Sequence, residues 1–273
     1  MSYFQVVEID DHTWRIEDPL KVYMYLVEGT ESALLIDTGT GFDGLDTLVH
    51  SLTVKPAQVM NTHGHIDHIG SNYLFDKVYI PEMDKETLKE HTSLEFKKTV
   101  ITELLGNIDS EEVKAAIPKL LSLPENKNLH FIKEGHIFDL GERQLETIWT
   151  PGHSTGSVCL LDKENRQLFG ADTVCAQGVL LHLNHSEPVA SFKESLNKLY
   201  SRKDEFDAIY PGHHDVPIDA EYIREYIECA DLIMSGEAAA VPLPESVLGS
   251  GYLAMHKRVS IAFKESDLNE KAK

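Results

Sequence analysis

Three imidazoles and a carboxylate fall within six positions in the segment Asn61-Thr62-His63-Gly64-His65-Ile66-Asp67-His68. Neutral imidazole nitrogen and carboxylate oxygen are suitable donors for zinc, iron or manganese. His63 and His65 stand two apart, so in an extended or turning segment they point the same way and can reach one ion. Asp67 and His68 are adjacent, at what reads as the start of a helix, and can address a second ion beside the first. Gly64 allows the tight backbone path between them. Two ions need more donors than this segment holds. His153 in Thr-Pro-Gly-His, Asp172 in Phe-Gly-Ala-Asp-Thr and His213 in Tyr-Pro-Gly-His each follow a strand-like run, where α/β sites are usually built. The tripeptide Pro-Gly-His occurs twice, at 151–153 and 211–213, which suggests two similar halves, each delivering a histidine from a strand end.

The elements that must position these groups can be read from periodicity. Strands are expected at Phe4–Ile9, Val22–Val27, Ala33–Ile36, Val59–Met60 and Val78–Ile80, with helices at Gly44–Leu52 and Ile69–Phe75. From Met83 to about Pro124 the pattern turns helical: Phe96, Val100 and Leu104 recur at i, i+4, i+8, and Val113, Ile117, Leu120 and Leu121 follow a similar stripe. Pro118 should kink or shorten the second of these helices. Strands return at His130–Leu140, Leu145–Trp149, Val158–Leu161, Leu168–Ala171 and Ala208–Tyr210, with helices at Phe192–Tyr200 and Ala220–Met234. Ser235–Gly251 reads as a loop or linker and the final ten residues as a frayed tail.

The chain has 273 residues and a net charge of −20, which repels phosphate backbones and anionic lipid, so neither nucleic acid nor a membrane is expected as a partner. Cys159, Cys175 and Cys229 are odd in number and widely spaced, which fits a reducing compartment rather than a disulfide framework. The acidic first residues do not read as a signal peptide, and no apolar run approaches the roughly 20 residues that span a bilayer. A cytoplasmic location is the expectation.

The ordered set THxHxDH, a later PGHS-type histidine, an aspartate after a strand and a final GH histidine resembles the metallo-β-lactamase superfamily over roughly residues 20–230. The resemblance implies a four-layer αβ/βα sandwich, two mixed β-sheets flanked by helices. It implies two divalent ions, zinc first, with iron or manganese admissible. His63, His65 and His153 would hold the first, Asp67, His68 and His213 the second, and Asp172 would bridge them. Asp37, in Leu-Ile-Asp-Thr-Gly, matches the aspartate that lies beneath the family's metal ligands. Departures narrow the group. The exported β-lactamases commonly carry cysteine where this chain has Asp172, flavo-diiron oxidoreductases carry glutamate in place of His65, and the RNA-processing nucleases generally need a cationic surface. What remains is similar to glyoxalase II, acyl-homoserine-lactone lactonases and the quinolone-signal thioesterase, the last of which shares a helical insertion like 83–124.

These features imply a metal-dependent hydrolase that cleaves a thioester, ester or lactone of a small-molecule substrate with a metal-bridging hydroxide, Asp67 carrying a proton to the leaving group. A phosphodiesterase or nuclease on the same site and a ligand-binding regulator with the same fold are the alternatives. The hydrolase domain is expected at 1–235, with the insertion 83–124 as a lid or a stabilising hairpin, and 236–273 as an extension packed on it. His182, His185, Cys175 and His214 follow ligands closely and are candidates to line the pocket. Lys257-Arg258 is a candidate site for an anionic substrate group, or a solvated pair.

Overall fold

The computed structural model describes residues 3–106, 108–124 and 128–272, without the side chains of residues 104, 106 and 269–272. Residue 107 of the expected helical segment, the Leu104 side chain of its stripe and Lys273 of the expected tail lie outside the described residues. The chain divides into two compact units, Met1–Gln144 and Leu145–Lys273.

The first unit is built on a mixed seven-stranded sheet in sequential order: β1 (Gln5–Asp10), β2 (Thr13–Glu17), β3 (Tyr23–Glu28), β4 (Ala33–Ile36), β5 (Ala57–Met60), β6 (Val78–Pro81) and β7 (Leu129–Ile132). The pairs from β1 to β4 are antiparallel and those from β4 to β7 parallel. β4 is buried along its whole length and β3 along all but its last residue. That explains their near-continuous apolar runs, since a strand covered on both faces cannot alternate. α1 (Leu45–Leu52) joins β4 to β5, burying Leu45 and Val49. The candidate metal-ligand motif follows β5 and opens α2 (Ile66–Ile69). The helix expected at Ile69–Phe75 is instead this single turn followed by a 3₁₀ turn at Asn72–Leu74.

Between β6 and β7 the expected helical segment forms three helices, α3 (Lys85–Thr92), α4 (Leu94–Gly106) and α5 (Glu111–Leu121). Ser110 caps α5 by accepting from Val113 N, and Pro118 lies within its last turn, where the helix soon ends. β8 (Ile137–Asp139) closes the unit.

In the second unit β9 (Gln144–Trp149), β10 (Val158–Asp162), β11 (Gln167–Ala171) and β13 (Ala208–Pro211) lie in the order β13-β11-β10-β9. The β11–β13 pair is parallel and the other two are antiparallel. α6 (Val189–Tyr200) and α7 (Glu221–Ser235) supply Phe192, Leu196, Tyr226 and Ile233 to the core that also holds Cys159, Leu161, Leu168 and Ile209 from the sheet. A smaller sheet runs β12 (Val179–Leu181), β16 (Val259–Phe263), β15 (Tyr252–His256), β14 (Ala240–Pro242). β14 lies inside the stretch expected to be loop, and Glu265–Ala272 form a 3₁₀ helix whose Asp267 accepts from Val189 N at 3.2 Å. Among the described residues no helix is long and apolar enough to cross a membrane.

Candidate metal centre

Parallel pairing places the carboxyl ends of β4 and β5 side by side, with Ile36 opposite Met60. The next residues, Asp37 and Asn61-Thr62-His63, therefore emerge together. Asp37 takes a left-handed backbone conformation (φ 64°), which aspartate tolerates better than most residues. Its Oδ1 accepts from Thr62 N at 2.7 Å, and its Oδ2 accepts from Thr62 Oγ1 at 2.8 Å and from His68 Nδ1 at 2.9 Å. The Thr62 hydroxyl has given its proton to Asp37, so it accepts from His63 Nδ1 at 3.0 Å. Both histidines thus carry the proton on Nδ1, and the lone pair stays on Nε2, the form in which imidazole binds a metal. His63, His65 and His68 are buried, with the His63 ring centroid 4.6 Å from that of His65 and 4.2 Å from that of His68. Asp67 is partly exposed, its Oδ2 3.6 Å from His68 Nε2.

Gly64 has a function beyond a free backbone path. A Cβ there would stand 2.7 Å from Leu88 N and 3.2 Å from Asp84 O, so the motif loop runs hard against the start of α3. Gly64 N donates to Asp84 Oδ2 at 2.5 Å. His91 of α3 stacks on His65 at 4.5 Å between centroids, and its Nδ1 accepts from Ile66 N at 3.1 Å. Sequence reasoning missed Asp84 and His91 because neither belongs to a motif. It also missed Asn61, which donates to His68 O at 2.9 Å and accepts from Asn72 at 2.7 Å, although Asn61 opens the motif segment directly after the end of β5.

In the second unit the same device recurs. Ala171 lies opposite Pro211 in the parallel β11–β13 pair, and Gly212 N donates to Ala171 O at 2.9 Å, so Asp172 and His213 leave adjacent strand ends. His153 follows β9. Its Nδ1 donates to Leu180 O at 2.9 Å, which again leaves Nε2 with the lone pair. Asp172 Oδ2 sits 3.3 Å from His153 Nε2 and 3.4 Å from His213 Nε2. Two donors on one tetrahedral ion with bonds of about 2.0–2.2 Å stand about 3.3–3.6 Å apart, so these separations suit metal ligands. Donor chemistry and spacing in both units fit a divalent ion of the zinc, iron or manganese type.

The other candidates fall elsewhere. Cys175 is buried, with Tyr226 Oη donating to its carbonyl at 2.8 Å, and burial together with Asp172 pushes its thiol well above the usual range. His182 is half-buried, and burial, the neighbouring His153 and Lys264 lower its pKa. His185 accepts Thr155 N through its carbonyl, and His214 is exposed. Lys257 and Arg258 are paired rather than waiting for an anion. Lys257 Nζ reaches Glu228 Oε2 at 2.5 Å, and Arg258 Nε reaches both oxygens of Glu225 at 3.1 and 3.0 Å while its guanidinium lies 4.0 Å over the Tyr222 ring.

Comparison with known proteins agrees with this geometry. The metallo-beta-lactamase superfamily model matches residues 18–213. The human acyl-coenzyme A thioesterase MBLAC2 is 28% identical over 208 residues, covering 70% of this chain and 72% of its own. A probable metallo-hydrolase of Methanocaldococcus jannaschii is 30% identical over 199 residues, covering 70% and 87%. Among solved structures, a metallo-beta-lactamase from Pontibacter korlensis superposes with TM-score 0.60 at 17% identity, over 84% of this chain and 99% of that one. At that identity the likeness shows the fold, an α/β arrangement of mixed sheets flanked by helices.

Proposed function

The chain belongs to the metallo-β-lactamase superfamily, and from that premise we propose that it is a binuclear metal-dependent hydrolase of thioesters, with esters and lactones as the related substrates. In this reading seven side chains serve one binuclear centre. His63, His65 and His153 hold one ion, Asp67, His68 and His213 the other, and Asp172 lies between them. The observation that carries it is Asp172 Oδ2 lying 3.3 Å from His153 Nε2 and 3.4 Å from His213 Nε2, the spacing of donors that share an ion. Thioester hydrolysis is favoured over the rest because thioesterases stand among the relatives.

When bound, two divalent ions supply an activated water and polarise a substrate carbonyl. The protein's own part is orientation and proton handling. Asp37 fixes His68 directly and His63 through Thr62, and the Leu180 carbonyl fixes His153. Stiff support of this kind keeps ligands in the geometry that the reaction needs. Asp67 is the more exposed carboxylate of the two proposed ligands, with 26% of its side chain accessible against 13% for Asp172. In this reading it passes a proton to a departing thiolate or alkoxide, which an acidic group with solvent access can do repeatedly. Zinc is the first choice of metal, with iron and manganese compatible with the same donors.

A panel of acyl thioesters, lactones and bis-p-nitrophenyl phosphate, offered to the metal-loaded protein, tests the reading. Turnover of the thioesters above the other two classes is expected. Preferential cleavage of the phosphodiester, or no turnover of any class, contradicts it.

A further inference from the structure

Asp84, Leu88 and His91 stand at i, i+4 and i+7, so they share one face of α3 and its cap. All three are buried, and that face is laid against the candidate metal-ligand motif. Asp84, the residue before the helix, accepts from Gly64 N through Oδ2, and its Oδ1 accepts from Thr87 Oγ1 at 3.3 Å. Leu88 N is the atom that a Cβ at Gly64 would meet at 2.7 Å. Leu88 also shares a small core with Ile69 of α2 and Ile80 of β6. Successive turns of the first inserted helix therefore follow the motif from residue 64 to residue 66.

His91 makes the last of these contacts, and it makes two. Its Nδ1 accepts from Ile66 N at 3.1 Å. Ile66 opens α2, and the first N–H groups of a helix have no partner within it, so α3 supplies the acceptor from outside. A nitrogen that accepts cannot carry the ring proton, which fixes His91 as the tautomer with its N–H on Nε2. The same ring stacks on His65, with centroids 4.5 Å apart and planes inclined at 23°. His63 meets His65 nearly at right angles, at 4.6 Å and 81°. Rotation of the His65 ring about its Cβ–Cγ bond would drive it into His91. Phe96 of α4 lies 4.0 Å from His91 between centroids, so His91 is itself held by a ring of the next helix.

We infer that His91 is a positioning residue of the metal centre: its ring fixes the plane of His65, and with it the direction of a proposed ligand. The inference rests on the reading of His65 as a metal ligand. Asp37 orients His68 and, through Thr62, His63 by hydrogen bonds. His91 orients His65 by ring contact, and α3 becomes part of the centre rather than a separate hairpin.

Two substitutions separate the ring from the hydrogen bond. His91→Asn keeps an acceptor for Ile66 N and removes the ring, whereas His91→Phe keeps a ring and removes the acceptor. Zinc affinity by competition against a chromophoric chelator, the visible spectrum of cobalt loaded in place of zinc, and thermal unfolding of the metal-free full chain are measured on both. His91→Asn should unfold close to the parent, yet bind zinc about tenfold less tightly and shift the cobalt bands. His91→Phe should unfold at a lower temperature, yet keep zinc affinity within about threefold and the cobalt bands of the parent. A residue that only supports the fold would lose zinc affinity in step with unfolding temperature. That pattern, equal losses in the two variants, or an unchanged zinc affinity in His91→Asn overturns the inference. If His91→Asn does not fold, His91→Phe decides alone, and a loss of about tenfold or more in its zinc affinity is the contrary result. A parent chain that holds no zinc overturns both the inference and the reading of the site. If the variants behave as expected while no thioester, ester or lactone is hydrolysed, the hydrolase reading fails and the assignment of His91 stands.

Discussion

Asp37 Oδ2 lies 2.9 Å from His68 Nδ1, and both side chains are almost wholly buried. The same carboxylate accepts both the N–H and the hydroxyl of Thr62, which in turn holds His63. One aspartate therefore sets the tautomer and direction of two proposed ligands at a buried strand end. Replacement by alanine should lower metal affinity about 10–100-fold while the ligands themselves remain. Competition against a chromophoric chelator measures this. An affinity within twofold of the parent would show that the carboxylate is only a turn residue.

Asp172 should matter more than any single histidine for keeping two ions. A carboxylate can lend one oxygen to each ion, and its charge offsets the repulsion between them, whereas an imidazole serves one. Asp172→Ala should leave about one equivalent of metal and little turnover. His153→Ala should weaken one site and leave the other largely filled. Metal analysis of both variants in one buffer decides the matter, and two tightly held ions in Asp172→Ala would reassign the central ligand.

Gly64→Ala should be costly although alanine suits most backbones. The added Cβ meets backbone atoms of Leu88 and Asp84, which cannot swing aside as a side chain can. Overpacking of this kind costs roughly 1–3 kcal/mol, and here it separates the motif loop from α3. Chemical denaturation should show the loss. A variant as stable as the parent would mean that α3 shifts freely.

The pH dependence of stability should follow Arg202. Its guanidinium binds Glu146 with two hydrogen bonds of 2.8 Å and Glu205 with two of 2.9 Å. Arg202 holds the Glu205 carboxyl down to about 2 and lowers that of Glu146. A depressed carboxylate pKa adds stability that is present above the unfolded value of about 4.3 and is lost as pH falls through the folded value. Arg202→Met should therefore cost about 1 kcal/mol at pH 7, a modest figure because the cluster is partly solvated, and the difference should shrink towards pH 2. Urea unfolding at pH 7 and pH 3 gives the comparison. A deficit that grows on acidification would contradict the assignment.

The candidate donor residues were legible because each lies in a short local pattern at a strand end, and strand ends in an α/β chain collect ligands. The repeated Pro-Gly-His suggested one histidine from each of two halves, but both copies fall in the second unit, His153 after β9 and His213 after β13. What stayed hidden depends on contacts distant in sequence. Asp84 and His91 brace the motif from a helix some twenty residues on, and nothing local marks them. β2 was missed because Thr13–Glu17 is flanked by acidic turn residues, although Ile16 is fully buried. The β15–β16 hairpin was missed for want of a turn signal. Its two-residue connection is Lys257-Arg258, with Lys257 at φ 52° where asparagine or glycine is usual. The pair that looked like an anion site is thus a hairpin turn held by Glu225 and Glu228.

The central claim is that two metal ions, held by seven side chains, are needed for hydrolysis. Stripping the protein of metal and titrating zinc back, with bound metal and acyl-thioester turnover followed in the same samples, tests it most directly. The account predicts two equivalents at saturation, and turnover that rises chiefly with the second. Saturation at one equivalent with full activity, or hydrolysis that survives removal of the metal, would contradict it.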